Sequence, residues 1–294
     1  MVSLAGVIGL VLGLTLAFLR NSMRPGIKDP GDIERHTGLN VFSTIPVSKP
    51  QRLLAQKIKN KAQGHHVLAV LHPQDPATES LRSLRTALQF AMLDTASNIV
   101  LLTGPTPGIG KTFTSVNFAA VLAAAGKKVL LIDADLRKGH MNQYFGLSRG
   151  IGLSELASGS AAWQEVIHKE ILTNVDFVTT GTLPPNPAEV LMTLVARNVL
   201  SQVASNYDMV VIDTAPVLVA SDTSILAPAA GAVFLVARSE VTSLAELVES
   251  AKRLRQSGTV SKGVVFNGLD MSNQRYGYGA GSKHGKYRYT NYNY

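Results

Sequence analysis

The strongest constraint on this chain is a glycine-bearing loop that joins an apolar run to a helical pattern. The apolar run Ile99–Thr103 predicts a buried strand, and the spacing of Thr112–Ala125 predicts a helix. The loop between them begins Gly104-Pro-Thr-Pro and ends Gly108-Ile-Gly-Lys-Thr112. A strand, such a loop and a helix in this order are typical of a P-loop, which binds phosphates through backbone N–H groups and the helix N-terminus. The strict pattern has glycine at position 105, where this chain has proline, and an ordinary strand-to-helix turn is the alternative interpretation.

Each loop residue has a predicted task in holding a nucleotide. Glycines at 108 and 110 allow backbone N–H groups to turn towards the phosphates. Lys111 is expected to reach the β- and γ-phosphates, and the Thr112 hydroxyl is expected to ligate Mg²⁺. The predicted contacts in the loop are Gly108, Ile109, Gly110, Lys111, Thr112 and Phe113.

The rest of the chain alternates between strand-like and helix-like segments. Helical spacing is found in Ala77–Leu93, near Ala188–Ser205 and in Ser243–Gln256, and a short apolar run, Val67–Leu71, precedes them. Continuous apolar strands separated by helices predict an α/β fold with a mostly parallel sheet covered on both faces. The predicted strands besides Ile99–Thr103 are Val129–Asp133, Val175–Thr179, Met209–Asp213, Ala232–Ala237 and Gly263–Phe266.

Two of these strands end in carboxylates. Val129–Asp133 is followed by Asp135, and Met209–Asp213 ends in an acid of its own. The carboxyl ends of parallel strands meet at the phosphate crevice, so Asp133 and Asp213 are predicted to hold Mg²⁺ or its waters. A lone aspartate after a strand is often only a turn or helix cap, but three of them beside a P-loop lysine favour a functional site.

Composition excludes several other classes of protein. The chain has 294 residues, is 46% hydrophobic and 16% charged, and has no cysteine, which excludes disulfides, thiol catalysis and zinc-thiolate sites. The net charge of +8 invites a nucleic-acid interpretation. However, the basic residues concentrate at the two ends of the predicted fold and form no single stripe on it, so nucleic acid is not a predicted partner.

The N-terminal part predicts attachment to a membrane. Residues 1–19 carry no charge and approach the length of a membrane-spanning helix, and Arg20 and Arg24 follow at once. The positive-inside rule then places the remainder of the chain in the cytoplasm. A cleavable signal peptide is the alternative, but a basic start and a small-residue cleavage site are both missing. Residues 20–64, rich in proline and glycine, are predicted to be a juxtamembrane linker, with short ordered patches around Asp32–Arg35 and Val41–Ile45. Residues 65–270 are the predicted domain, and 271–294 are the predicted tail.

The motifs together resemble those of the bacterial tyrosine kinases of capsule and exopolysaccharide export. The resemblance rests on Gly110-Lys111-Thr112, on the stretch from Leu131 to Gly139, and on Val211-Ile-Asp213-Thr-Ala-Pro216, and it extends over the whole chain. It implies transfer of the γ-phosphoryl group of ATP, with Mg²⁺, to tyrosine. It also implies that Lys111, Asp133, Asp135 and Asp213 are the catalytic residues, and that Thr112, Asp133 and Asp213 surround the metal. Asn267 lies where relatives contact adenine, although an ordinary turn explains Asn before Gly equally well.

Two further features fit the same resemblance. Glu79, Arg82 and Arg85 lie three residues apart on one predicted helix face, which by spacing alone suggests a solvated charged stripe. The family uses this spacing to join subunits into a ring, which implies a homo-oligomer. Polysaccharide polymerisation and export machinery and a tyrosine phosphatase are the other implied partners. Six of the eight tyrosines fall in the last nineteen residues and are the predicted phosphorylation sites: Tyr276, Tyr278, Tyr287, Tyr289, Tyr292 and Tyr294.

The sequence also departs from the family pattern. His140 stands where many relatives have a regulatory tyrosine, and Tyr144 is nearby but out of register. Partition-type ATPases, the nearest rivals on this fold, have a second lysine early in the loop, whereas this chain has Thr106 at that position. A non-catalytic scaffold that binds nucleotide remains the other alternative.

Overall fold

A computed structural model describes residues 26–193 and 202–271, together with residues 9, 11–13, 15 and 200. Most of the predicted membrane helix and the tail beyond residue 271 lie outside the described residues. Among the residues that are described, no helix has the length and apolar character needed to cross a membrane.

Eight strands form one sheet in the order β1-β8-β7-β2-β6-β3-β5-β4. Every neighbouring pair is parallel except β4 and β5, which are antiparallel. The α/β class with a mostly parallel sheet is therefore confirmed. The strands are β1 (Val41–Pro46), β2 (Ile99–Thr103), β3 (Val129–Ala134), β4 (Ile167–Leu172), β5 (Val175–Val178), β6 (Met209–Thr214), β7 (Ala232–Arg238) and β8 (Gly263–Leu269).

Helices cover both faces of the sheet and enclose two apolar clusters, one on each face. Several helices begin where a side chain caps the first free N–H groups, as Ser243 does at the start of α10 and Asp75 at the start of α4. The helices in the described residues are α1 (Pro30–Thr37), α2 (Lys49–Lys59), α3 (Leu68–Leu71), α4 (Pro76–Ala91), α5 (Lys111–Ala124), α6 (Leu153–Ser158), α7 (Trp163–Val166), α8 (Pro187–Met192), α9 (Asp222–Leu226) and α10 (Leu244–Gln256), with 3-10 turns at Met141–Phe145 and Ala227–Ala229.

The segment predicted as a linker over residues 20–64 belongs in large part to the folded domain. Strand β1 pairs in parallel with β8, and Ile33, Ile45 and Leu54 are buried in the core. Pro30 and Pro50 stand in the first turns of α1 and α2, where proline has no N–H bond to lose. Prolines that suggest a linker in the sequence therefore mark helix starts, and the domain begins before residue 65.

Leu68–Leu71, within the apolar run for which the sequence predicted no element, forms the short helix α3. One smaller prediction needs correction. Strand β8 continues three residues beyond Phe266, so Asn267 lies within the strand, paired with Ile45 and Arg238, rather than in a turn after it. The antiparallel strand β4 at the sheet edge was not predicted, because its partly exposed His-Lys-Glu centre lacks the apolar pattern of the other strands.

Candidate active site

The phosphate loop lies between β2 and α5 and has the backbone conformation that its glycines permit. Gly108 and Gly110 have φ angles of +77° and +97°, a region that side-chain-bearing residues seldom adopt. Gly110 is the N-cap of α5, and no side chain caps this helix. The first N–H groups of a 14-residue helix are thus left to a ligand, and an anion such as a phosphate satisfies them.

The side chains of the loop divide into those that face the crevice and those that support it. Lys111 is 7% exposed, and burial lowers its pKa while the nearby carboxylates of Asp213 and Asp135 oppose that shift. Ile109 is fully buried, so its contribution to nucleotide binding is its backbone, and Phe113 packs partly into the core beneath the loop. A buried, partly desolvated ammonium group is suited to bind phosphate oxygens, because few waters compete for it.

Asp133 and Asp213 are register partners on the adjacent strands β3 and β6, and each is 1% exposed. Asp213 accepts hydrogen bonds from the Thr112 hydroxyl at 2.6 Å and from the Ser115 hydroxyl at 3.0 Å. Burial raises the pKa of Asp213 to about 6, although Lys111 and both hydroxyls pull it down. The predicted magnesium-side pair of Thr112 and Asp213 is therefore brought into direct contact.

Asp133 lies in a backbone cradle formed by the loop that follows β3. Its carboxylate accepts hydrogen bonds from the backbone N–H of Met141 at 2.9 Å and of Asp135 at 3.3 Å. Burial, and then the negative charge of Asp213, raise the pKa of Asp133 well above its ordinary value. Like charges on buried neighbouring carboxylates are unfavourable unless a cation lies between them.

These groups fit a magnesium ion that is completed by a nucleotide. The described residues hold no group of three or more acidic, histidine or cysteine side chains placed to bind a metal. Two carboxylates and a hydroxyl supply only part of an octahedral shell, and Mg²⁺ usually takes the rest from phosphates and water. The donor set therefore suits Mg²⁺ that arrives with ATP.

Asp135 has a structural task in addition to its predicted supporting role. Its carboxylate accepts hydrogen bonds from the backbone N–H of Arg137 at 3.2 Å and of Lys138 at 3.0 Å, which shapes the loop after β3. The loop closes over Asp133 at Gly139, where a Cβ atom would lie 2.7 Å from Asp133 Oδ1 and 2.2 Å from Thr180 Cγ2. Only glycine fits this position without displacing its neighbours.

Asn267 supports the phosphate loop in this structure. Its amide nitrogen donates a 2.9 Å hydrogen bond to the carbonyl of Ile109 and lies where a Cβ of Gly110 would be. Its register partner Arg238 donates a 2.9 Å bond to the carbonyl of Gly108. Two neighbouring strands thus hold two consecutive loop carbonyls from outside, which leaves the N–H groups of the loop free to face inwards.

Three residues near the site were missed at the level of sequence. Ser115 follows Thr112 by three positions, and this helical spacing could have indicated its contact with Asp213. Nothing in the sequence indicated Arg238, because its hydrogen bond to the loop forms only when β7 lies beside β2. Arg137 forms a two-bond ion pair with the fully buried Asp222, at 3.0 and 2.9 Å, and so ties the loop after β3 to the start of α9.

The remaining predicted residues belong to α4, to the segment after β3 or to the part of the chain outside the described residues. Arg82 bonds Glu79 within α4 at 2.7 Å and the Pro73 carbonyl at 2.9 Å, and Arg85 is half-buried on the same helix. All six tail tyrosines lie outside the described residues. His140 is exposed, with its ring bonded to the Lys138 carbonyl, whereas Tyr144 is buried, which raises the pKa of its hydroxyl.

Comparisons with known proteins agree with this geometry. The AAA domain family AAA_31 matches residues 97–259. The solved BceF tyrosine kinase domain is 43% identical with a TM-score of 0.77, over 83% of this chain and 99% of that one. The kinase domain of the Escherichia coli tyrosine kinase ETK is 38% identical with a TM-score of 0.78, over 90% of this chain and 100% of that one.

Full-length curated relatives extend the similarity to nearly the whole chain. A protein named EpsB from Ralstonia solanacearum is 50% identical over 99% of this chain, and tyrosine-protein kinase etk of E. coli K12 is 39% identical over 90% of it. The chain spans only 38% of the length of each of these relatives. Since the solved kinase domains are covered almost completely, the chain belongs to the bacterial tyrosine-kinase family of P-loop domains.

Proposed function

We propose that this domain is a protein-tyrosine kinase that transfers the γ-phosphoryl group of Mg-ATP to tyrosines of its own C-terminal tail. The observation that carries the proposal is the convergence of an uncapped helix N-terminus, buried Lys111, and the paired carboxylates Asp133 and Asp213 at one edge of the sheet. In the transfer, the tyrosine oxygen attacks the γ-phosphorus, the bond to the β-phosphate oxygen breaks, and ADP leaves.

The residues of the chain contribute mainly position and charge to this reaction. Backbone N–H groups of the loop and Lys111 bind the phosphate oxygens, and Thr112 and Asp213 hold the metal side of the nucleotide. When bound, Mg²⁺ neutralises phosphate charge. Asp133, buried near the carboxyl end of β3 beside Asp213, is placed to accept the proton of the tyrosine hydroxyl.

Intact-protein mass spectrometry after incubation with Mg-ATP tests the proposal directly. The native chain is expected to gain several phosphates, mapped to residues 276–294, and Lys111→Met is expected to gain none. Lys127→Met is the matched control, because Lys127 is exposed at the opposite edge of the sheet and should leave phosphorylation unchanged. An unmodified native chain with confirmed ATP binding would instead favour a nucleotide-dependent scaffold or a switch ATPase.

We further propose that phosphorylation occurs between subunits of a ring, with α4 at the interface. Glu79, Arg82 and Arg85 lie at three-residue intervals on one side of α4. Mixing Lys111→Met with an active chain whose six tail tyrosines are replaced by phenylalanine separates the possibilities. Phosphate on the inactive chain supports transfer between subunits, and its absence contradicts it.

The ring itself is tested by sedimentation of the detergent-solubilised chain. Arg85→Glu is expected to lower the sedimentation coefficient, whereas Arg255→Glu, in the last turn of α10, is a matched charge reversal with no expected effect. Phosphates on the basic tail reverse its charge, since each adds roughly −1.5 to −2, and should loosen the ring. Equal sedimentation of phosphorylated and unphosphorylated chains would contradict that regulation.

The cellular setting follows from the family and from the first residues of the chain. We propose that residues 1–19 anchor the protein in the bacterial inner membrane, with the kinase domain in the cytoplasm. There it would regulate the machinery of exopolysaccharide or capsule polymerisation and export, opposed by a tyrosine phosphatase. Deleting the gene and restoring it with Lys111→Met should leave polysaccharide export defective if the kinase activity is what the pathway needs.

A further inference from the structure

Helix α2 exposes a basic surface that neither the nucleotide site nor α4 uses. Between Glu34 and Asp75 the sequence contains no acidic residue. Leu54 and Ile58 bury one side of the helix at 4% and 6% exposure, while Leu53, one residue away, is 64% exposed. The exposed basic residues of this segment, which we call the basic helix surface, are Lys49, Arg52, Lys57, Lys59 and Lys61.

The basic helix surface is not neutralised from within the domain. Among the described residues, no ion pair joins any of its five side chains to a carboxylate. Asp75, beside the start of the helix, accepts a hydrogen bond from Ser48 and caps α4. Lys49, Leu53 and Lys57 follow each other at four-residue intervals and so share one exposed side of the helix. An exposed leucine framed by lysines is typical of helices that lie on anionic lipid surfaces.

The helix lies where the carboxyl ends of the parallel strands meet, which we call the carboxyl edge of the sheet. The nucleotide crevice lies at this same edge. It starts just after β1, where the N–H of Val47 bonds the carbonyl of Leu269. Beyond its other end, the N–H of His66 bonds the carbonyl of Tyr144, in the 3-10 turn that follows β3 and its loop. Both ends of this segment are therefore fixed to the edge where the parallel strands end.

The chain also enters the domain at this edge. Ile27 exchanges backbone hydrogen bonds with Thr242 and Glu240, just beyond the carboxyl end of β7. Residues 20–25 alone separate Ile27 and Gly26 from the predicted membrane helix. Such a connection reaches roughly 25 Å even when fully extended, at about 3.5 Å per residue. If residues 1–19 span the membrane, as proposed above, the carboxyl edge lies within that reach of the lipid head groups.

We propose that the basic helix surface docks on the anionic lipids of the membrane and holds the carboxyl edge of the domain against it. The proposal rests on membrane attachment through residues 1–19, as proposed above. Anionic lipid is the occupant because its charge complements the five basic side chains, because Leu53 can enter the head-group layer, and because the chain itself brings the two surfaces together.

The absence of cysteine from the sequence makes a single-label experiment possible. Leu53→Cys carries an environment-sensitive fluorophore on the basic helix surface of the full chain. Val260→Cys is the matched control, since Val260 is 70% exposed and precedes the amino end of β8, at the opposite edge of the sheet. Each labelled chain is reconstituted into phosphatidylcholine vesicles with and without phosphatidylglycerol, and quenching by the neutral solute acrylamide is measured.

We expect phosphatidylglycerol to reduce quenching at position 53 several-fold and to leave position 260 unchanged. Adding Lys57→Glu and Lys59→Glu, or raising the salt concentration, should restore full quenching at position 53. Equal quenching in both lipids would overturn the proposal. Protection in phosphatidylcholine that grows with protein density would also overturn it and indicate a second copy of the chain, and protection that needs ATP would indicate the phosphorylated tail.

Vesicle flotation separates this proposal from the proposed attachment. Flotation with both lipids, together with equal quenching of position 53 in both, would support the attachment and contradict the docking. Flotation with phosphatidylglycerol vesicles alone, together with protection of position 53 there, would support the docking and contradict the attachment through residues 1–19.

Discussion

The contact between Asn267 and Gly110 predicts that substitutions at these two positions will not be additive. A Cβ on Gly110 would lie 2.1 Å from the Asn267 amide nitrogen, which donates a 2.9 Å bond to the Ile109 carbonyl. Gly110→Ala must therefore displace the Asn267 side chain as well as adopt a φ of +97°. The same hydrogen bond is lost in Gly110→Ala and in Asn267→Ala, so the double variant loses it only once.

The magnitudes follow from these two costs. Losing one neutral hydrogen bond costs about 0.5–1.5 kcal/mol, which corresponds to roughly twofold to tenfold weaker nucleotide binding for Asn267→Ala. A side chain forced into the left-handed region costs about 1–2 kcal/mol more. Gly110→Ala should therefore weaken binding by about tenfold to a few hundredfold. Its effect in the Asn267→Ala background should be smaller by about fivefold, equivalent to about 1 kcal/mol.

The measurement is a double-mutant cycle on the dissociation constant of fluorescent N-methylanthraniloyl-ADP. Circular dichroism of each variant verifies that the fold is kept. The cycle of Gly110→Ala with Asn206→Ala, an exposed asparagine far from the loop in sequence, is the matched control and should be additive. If the cycle with Asn267→Ala is additive within roughly 0.5 kcal/mol, Asn267 does not hold the phosphate loop.

Three further predictions concern the carboxylates and the loop after β3. Arg137→Ala leaves the buried carboxylate of Asp222 without its cation and should lower the unfolding free energy by up to about 3–5 kcal/mol. Asp222→Ala leaves a partly exposed arginine and should lower it much less. Equal losses of stability in thermal denaturation would contradict this reasoning. Burial raises the pKa of Asp213 from 3.8 to about 6, so the nucleotide-free fold binds this proton more tightly than the unfolded chain and loses about 3 kcal/mol as pH rises from about 4 to about 6. Asp213→Asn should thus melt higher than the native chain at pH 7.5, with the difference shrinking towards pH 4, and a difference independent of pH would show that the carboxylate is not the cause. Gly139→Ala should destabilise the domain by about 1–3 kcal/mol through its contact with Thr180 Cγ2, and adding Thr180→Ser should recover part of that loss in the same assay.

The sequence alone determined the class of the fold and the core of the site. Continuous apolar runs separated by helical patterns favour a parallel sheet with both faces covered, and each of the six strands predicted from such runs pairs in parallel with at least one neighbour. Carboxylates at the ends of two such runs must approach the phosphate loop, because parallel strands end at a common edge. In the structure Thr112 donates a hydrogen bond to Asp213, and Asp133 is the register partner of Asp213 on the adjacent strand, while their role in holding Mg²⁺ stays a prediction.

Strand order itself was decided only by the tertiary structure. Strand β1 joins the sheet beside β8. The sequence indicated at most a short ordered patch there, because the strand pairs with a partner more than 200 residues later in the chain. The bonds from Arg238 and Asn267 to the phosphate loop arise because β7 and β8 lie on one side of β2. Local patterns in a sequence report which side of a segment is buried, whereas contacts between distant segments depend on how the whole sheet is assembled.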